Sequence, residues 1–232
     1  MEKKQCTAIV LAAGQGKRMG SKIQKQYLEI LGYPVLYYSL RAFQESQHIT
    51  QIILVTGEDE IQSCQKEFVE QYNLTKVSHV IAGGKERYDS VYNGLQYVAD
   101  DAQYVFIHDG ARPMLDENII ANGLACVMEY GACVAGVPSK DTVKIVDADT
   151  FATETPDRRT VWNVQTPQIF ESEIILEAYE KMMKVPHEHV TDDAMVVETF
   201  LEKKVKVYEA SYENIKITTP EDLRIAELFL EK

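Results

Sequence analysis

No apolar run in this chain of 232 residues approaches the roughly 20 residues needed to span a bilayer. The first apolar stretch, in MEKKQCTAIVLAAG, ends in a glycine loop rather than a cleavage site. That pattern predicts a first strand, not a secretory leader. Cysteine is scarce: Cys6, Cys64, Cys126 and Cys133 form no CxxC pair, and no nearby His completes a zinc pattern. Reduced, mostly buried thiols of a cytoplasmic protein are the expectation. Positive charge is also in deficit, with 24 Lys+Arg against 36 Asp+Glu and a formal net charge of -12. That balance argues against a general nucleic-acid binder, but not against a small anion held in a local basic pocket. The chain lacks GxSxG, HExxH and a Ser–His–Asp set, so no covalent nucleophile is indicated. Positioning and charge stabilisation, the pattern of phosphoryl-type transfer, remain.

Short β-branched runs alternate with helical spacing. CTAIVLA, QIILVT (51–56), KVSHVIA (76–82), YVFIHD (104–109) and ACVAGVP (132–138) have strand length. Leu36, Leu40 and Phe43 make one helix face, Ile61, Cys64 and Phe68 another, and Val91, Leu95 and Val98 a third. Continuous apolar strands between amphipathic helices predict an α/β fold: a doubly wound, mostly parallel, Rossmann-like sheet with ligands outside the strand C-termini. Residues 139–162 lack a helix face, are rich in Thr, Asp and Val, and carry a turn-like DADT. They predict a protruding β-hairpin arm on a single domain of 1–232, too small to stand alone and suited to a second subunit. Helical patterning resumes at 171–183 and 191–203. A strand, KVKVYEA (204–210), follows, and the closing helix TPEDLRIAELFLEK has Thr219 as cap and Pro220 in its first turn.

Four stretches suit chemistry. LAAGQGKRMGSKIQKQY (11–27) follows the first strand with Gly14, Gly16 and Gly20, and with Lys17, Arg18, Lys22 and Lys25 but no acid. Neither GxGxxG nor GxxxxGK[ST] is met, and a polyphosphate grip competes with a merely solvated loop. AGGKERYDSVYNGL (82–95) has a Gly-Gly turn leading into a polar helix start with Arg87 and Ser90. It should share the first loop's sheet edge. In IHDGARP, Asp109 ends a buried strand, where it could hold a metal or a ribose hydroxyl, or simply pair with Arg112. His108 reads as a base or as a packed strand residue. Polar clusters at 157–168, 190–195 and 213–223 come last, and the TDD of the second also suits an N-cap. Lys216, between Ile215 and Ile217, needs an anionic partner.

LAAGxGxRMG with KQY, GGxERxDSVxNGL, HDGARP, DR before QTPQ, TDD, and NIKITxPEDL occur here in order. Together they resemble the 2-C-methyl-D-erythritol 4-phosphate cytidylyltransferase family over essentially the full chain. The resemblance implies transfer of a cytidylyl group from CTP to the sugar-alcohol phosphate, release of pyrophosphate and a need for Mg2+, with no protein metal ligand assigned. It implies that Gly14, Gly16, Arg18 and Lys25 grip the triphosphate and that Ala12, Ala13, Gly84, Lys85 and Ser90 form the cytosine pocket. Asp109 and Gly110 then meet the ribose. Arg112, Thr142, Thr166 and Thr191 surround the methylerythritol phosphate, and Arg158 comes from a partner's arm in a homodimer. Lys216 acts beside Arg18 and Lys25 at the α-phosphate. No nucleic acid or membrane is expected as a partner. A ribitol-5-phosphate cytidylyltransferase is the nearest alternative, and a nucleotide-binding oxidoreductase and an inactive nucleotide sensor are the more distant ones.

Overall fold

Strand-length apolar runs cannot satisfy their own backbone N–H and C=O groups, so they pair with one another. A computed structural model, describing residues 4–14, 24–187 and 189–231, has them doing so. In chain order the strands are β1 (Cys6–Leu11), β2 (Glu29–Ile30), β3 (Tyr33–Pro34), β4 (Gln51–Thr56), β5 (Val77–Ala82), β6 (Tyr104–Asp109), β7 (Ala132–Pro138), β8 (Ile145–Val146), β9 (Ala152–Glu154), β10 (Trp162–Glu171) and β11 (Lys206–Glu209). The helices are α1 (Val35–Glu45), α2 (Ile61–Cys64, continued by a π-helical stretch Gln65–Glu70), α3 (Arg87–Leu95), α4 (Glu117–Tyr130), α5 (Ser172–Met183), α6 (Asp193–Leu201) and α7 (Pro220–Leu230). The main sheet, among the described residues, has the order β11-β7-β10-β6-β1-β4-β5.

All of its pairs are parallel except those of β10, which runs antiparallel between β6 and β7. The chain winds outward from β1 to β4 and β5, then crosses back to β6 on the other side of β1. Reversal of direction at β1 opens a crevice at the C-terminal edge. The register aligns that edge, since Leu11 stands opposite both Val55 and Asp109, and Val55 opposite Ile81.

Both faces are covered, as continuous apolar strands require. Val10, Leu54 and Phe106 pack with Leu36, Leu40 and Phe43 of α1 and with Ile120 of α4. Ile9, Val55 and Ile107 point the other way, onto Val91 and Leu95 of α3, Tyr179 of α5 and Val197 of α6. Each such fully buried side chain contributes about 1.5–3 kcal/mol. Helix ends follow local chemistry: Asp116 and Asp192 accept the N–H of Ile119 and Met195, and Asp222 reaches back to the N–H groups of Thr218 and Thr219. Gly131, at φ 75°, closes α4 in the left-handed conformation that glycine takes without strain.

The expected hairpin is present but short, and its far boundary needs correction. Within 139–162 only β8 and β9 pair with each other, around a turn in which Asp147 Oδ1 accepts the N–H groups of Asp149 and Phe151. The arm is otherwise irregular and leaves Ile145, Val146 and Phe151 exposed. Its far end, Trp162, already belongs to β10, a strand absent from the sequence reading.

The close packing of α4 gives a test. A Cβ on Gly123 would lie 2.3 Å from Ile169 Cδ1 and 2.8 Å from the Tyr208 hydroxyl, both in the core. Gly123→Ala gains about 1 kcal/mol of helix propensity. Overpacking outweighs it, so a net loss of about 1–2 kcal/mol is expected as a lower denaturant midpoint at unchanged slope.

Candidate active site

Ala12, Ala13 and Gly14 leave β1 at the sheet edge, and Gly83 and Gly84 leave β5 beside them. The two loops touch: a Cβ on Gly83 would stand 2.5 Å from the Cβ of Ala13. A Cβ on Gly84 would stand 2.2 Å from the Cβ of Asp89, so the Gly-Gly turn is required by contact. Ser90 Oγ accepts the N–H of Gly84 at 3.0 Å and donates to Glu86 O, fixing the turn on α3. These loops and Lys25, Arg87, Asp109 and Lys216 line a cleft of about 700 Å³.

Asp109 is the centre of the charges. Lys216 Nζ lies 2.6 Å from Asp109 Oδ2, and Arg87 Nε lies 3.3 Å from Oδ1. Arg87 also grips the fully buried Asp193 with both terminal nitrogens, at 2.9 and 2.7 Å, and Tyr179 donates to Asp193 at 2.6 Å. Burial opposes the charge on Asp109, but Arg87, then Lys216 and Arg112, outweigh it and hold its carboxyl well below the usual range. The partner of Asp109 is therefore not Arg112, three residues on. Arg112 donates from Nη1 to Asn214 O at 2.8 Å, and burial lowers its own pKa.

A second cleft of about 250 Å³ shares Arg87, Asp109 and Lys216 with the first and adds Arg112, Thr166, Gln168, Thr191 and Asp192. Thr166 lies where the register of β10 shifts, between Val164 and Gln168. Its Oγ1 accepts the N–H of Asp109 at 3.1 Å and lies 3.0 Å from His108 Nδ1. The Arg112 carbonyl can only accept, so His108 Nε2–H donates to it at 3.2 Å, which in the neutral ring leaves Nδ1 to accept the Thr166 hydroxyl. That arrangement needs a neutral imidazole. Burial agrees, lowering the His108 pKa to about 4. His108 thus joins Thr166 to the turn carrying Arg112, and packs edge-on to Phe43.

The structure brings together Ala12, Ala13, Gly14, Lys25, Gly84, Lys85, Ser90, Asp109 and Lys216 around the first cleft, and Arg112, Thr166 and Thr191 around the second. Gly110 is buried against Leu36 and bonds Leu11 O through its N–H, while Ala111 lines the cleft. Thr142 and Arg158 stand exposed on the arm, with Arg158 Nη1 donating to Lys140 O. Gly16 and Arg18, like Lys17, Gly20 and Lys22, lie outside the described residues. Sequence reasoning named Arg87 without giving it a role. A cation in the first turn of a helix opposes the helix dipole, and that is the signal that a carboxylate must hold it. Asp193 and Asn214 fell within the polar clusters 190–195 and 213–223 but received no role of their own, because their partners are distant in the chain. Asp192 does cap α6 through Met195 N–H, the ordinary reading of TDD.

The family model for 2-C-methyl-D-erythritol 4-phosphate cytidylyltransferase matches residues 6–232. A protein of that name from Lachnospira eligens is 50% identical over 97% of this chain and 99% of its own. One from Clostridium botulinum is 51% identical over 97% of each. The crystal structure of 4-diphosphocytidyl-2C-methyl-D-erythritolsynthase from Anaerococcus prevotii superposes with a TM-score of 0.86 at 34% identity and full coverage of both chains.

His108 sets a pH dependence. Its folded-state pKa lies below its ordinary value of 6.5, so the unfolded chain binds the extra proton first. The stabilisation is complete above pH 6.5 and is lost as pH falls toward 4. Between pH 7.5 and 5 this amounts to about 2 kcal/mol. Denaturant titrations should show that slope, and His108→Gln should lack this part of it.

Proposed function

The chain belongs to the 2-C-methyl-D-erythritol 4-phosphate cytidylyltransferase family, and on that premise we propose that its two joined clefts hold the reactants of cytidylyl transfer. The protein is a nucleotidyltransferase. It transfers the cytidylyl group of CTP to 2-C-methyl-D-erythritol 4-phosphate, forming 4-diphosphocytidyl-2-C-methyl-D-erythritol and pyrophosphate in the non-mevalonate isoprenoid pathway. The observation that carries the assignment of clefts to substrates is that Lys216 lines both, at their common wall.

CTP occupies the larger cleft. Its base meets the backbone of Ala12, Ala13, Gly84 and Lys85 beside Ser90, its ribose hydroxyls meet Asp109 and the Gly110–Ala111 backbone, and its phosphates lie by Gly14 and Lys25. The family resemblance adds Gly16 and Arg18 to that grip. The sugar-alcohol phosphate occupies the smaller cleft, among Arg112, Thr166 and Thr191. Its phosphate oxygen attacks the α-phosphorus in line, the new P–O bond forms as the α–β bridge breaks, and pyrophosphate leaves. The attacking phosphate is already a competent nucleophile at neutral pH, so no strong base is needed. The barrier is mutual repulsion of anions, and Lys216, Lys25 and Arg18 offset it where charge builds.

Among the described residues no cluster of three metal-ligating side chains occurs. Glu86 and Asp109 are the carboxylates lining the nucleotide cleft, and Asp109 is already paired with Arg87 and Lys216, which suits a Mg2+ that arrives on the triphosphate and takes few protein ligands. Bound Mg2+ would neutralise phosphate charge and order the triphosphate. The exposed Ile145, Val146 and Phe151 of the arm supply an apolar surface for a homodimer. In it, Arg158, with Thr142 at the arm's base, reaches the partner's sugar-phosphate cleft. Free thiols at Cys6, Cys64, Cys126 and Cys133 suit the cytoplasm, and no helix among the described residues is long and apolar enough to cross a membrane.

Lys25→Ala and Lys216→Ala should fold normally and lose about 10²–10³ in kcat, as for a preorganised donor removed. Pyrophosphate release measures this, and near-native rates in both would sink the mechanism. The same assay with ribitol 5-phosphate should run more slowly; a faster rate would reassign the substrate. Mixing inactive Arg158→Ala with inactive Lys216→Ala tests the arm. If Arg158 acts across the dimer, subunit exchange restores about a quarter of the activity; no recovery would place Arg158 in its own site.

A further inference from the structure

We propose that Glu60 is a positioning residue for Lys25. Glu60 follows β4 and is not among the residues lining either cleft. Its carboxylate nevertheless gathers the segment that carries Lys25. Oε1 accepts from the Gln24 amide, and Oε2 accepts from the Tyr27 hydroxyl at 2.9 Å. Oε2 also accepts from Thr56 Oγ1 and from Gly57 N, both at 3.1 Å, which ties the carboxylate to the end of β4. A single half-buried acid thus joins the residues on both sides of Lys25 to the sheet.

The rest of the turn depends on that tie. Gln26 is buried and donates to Ala12 O at 2.5 Å and to the Gln24 side-chain oxygen. The N–H of Tyr27 bonds Gln24 O at 2.9 Å, closing the 3-10 turn Lys25–Tyr27. Ala12 N–H in turn bonds Val55 O at 2.7 Å. The backbone of Lys25 is therefore referenced to the ends of β1 and β4, the two strands that frame the nucleotide cleft. Four acceptor contacts on one carboxylate exceed what an amide of the same shape offers with equal strength. Two of the four donors, on Gln24 and Tyr27, sit on either side of Lys25, which a role in stability alone would not require. The inference rests on the assignment of Lys25 to the triphosphate.

Removing the tie lets the Lys25 ammonium drift while it keeps its charge, and a displacement of about 1 Å can cost about 10²-fold in rate. Glu60→Ala should lower kcat about 10–100-fold with the KM for 2-C-methyl-D-erythritol 4-phosphate changed less than about 2-fold. Glu60→Gln keeps one acceptor oxygen, enough for the three contacts of Oε2 but not for Gln24, and should lie between Glu60→Ala and the wild type. A double-mutant cycle supplies the decisive reading: in a Lys25→Ala background, Glu60→Ala should add less than about 3-fold. Thermal midpoints of the four proteins of the cycle check folding, and if Glu60→Ala unfolds, Glu60→Asp, whose shorter side chain cannot reach all four donors, takes its place with the same expected loss of kcat. A Glu60→Ala enzyme at wild-type kcat, or a full multiplicative loss in the Lys25→Ala background, overturns the proposal while leaving Lys25 in its role. A Lys25→Ala enzyme at the wild-type rate removes the reading of Lys25 and the proposal with it.

Discussion

A carboxylate buried at the end of a parallel strand must be charged and held, or not charged at all. Asp109 is charged because Arg87 and Lys216 each take one of its oxygens. Arg87 can be there because Asp193, without solvent exposure, holds its other nitrogens. The order of charges is Asp193, Arg87, Asp109, Lys216, alternating in sign from the core to the wall between the clefts. Each group is stabilised by its neighbours, and deleting an inner one would leave a buried charge uncompensated, at a cost of about 3–5 kcal/mol. The terminal member, Lys216, is the group with capacity for a further anion. Lys216 stands at the wall common to both clefts, and Arg87 holds the other oxygen of Asp109 independently of it.

The frame of this site was legible because it follows from continuous apolar runs. CTAIVL, QIILVT and YVFIHD became adjacent strands, and their ends brought three widely spaced loops to one edge. The need of Lys216 for an anionic partner was also legible from Ile215 and Ile217; the resident partner, Asp109, was not. A pairing across 107 residues leaves no local signal, whereas Arg112 at i+3 offered a nearer candidate. The turn after Asp109 decides against it by sending the Arg112 guanidinium to Asn214 O. Strand β10 escaped for a related reason. WNVQTPQIF mixes polar residues with a proline, which ordinarily argues against an interior strand. The shift in register between Val164 and Gln168 accommodates Pro167 and turns Thr166 toward Asp109. The irregularity that hid the strand is what places Thr166 in the second cleft.

The loop that bears Lys216 is held by bonds that do not involve its charge. Asn214, fully buried two residues earlier, donates to Gln165 Oε1 at 3.0 Å and Thr166 O at 2.9 Å, across the irregular part of β10. Ile217 N–H bonds Ala111 O at 2.8 Å, and the Ile217 side chain is packed with Ile30, Val35 and Ala226. Backbone and amide contacts therefore fix the residues on either side of Lys216, whether or not the ammonium has a partner. The same logic holds at the other cation, where Gln24, Gln26 and Tyr27 carry the contacts. Both loops are thus anchored by contacts that do not use the lysine ammonium groups. Under the proposed cytidylyl-transfer mechanism this separation matters, because loops held by the lysines' own ion pairs would loosen as the phosphates bind.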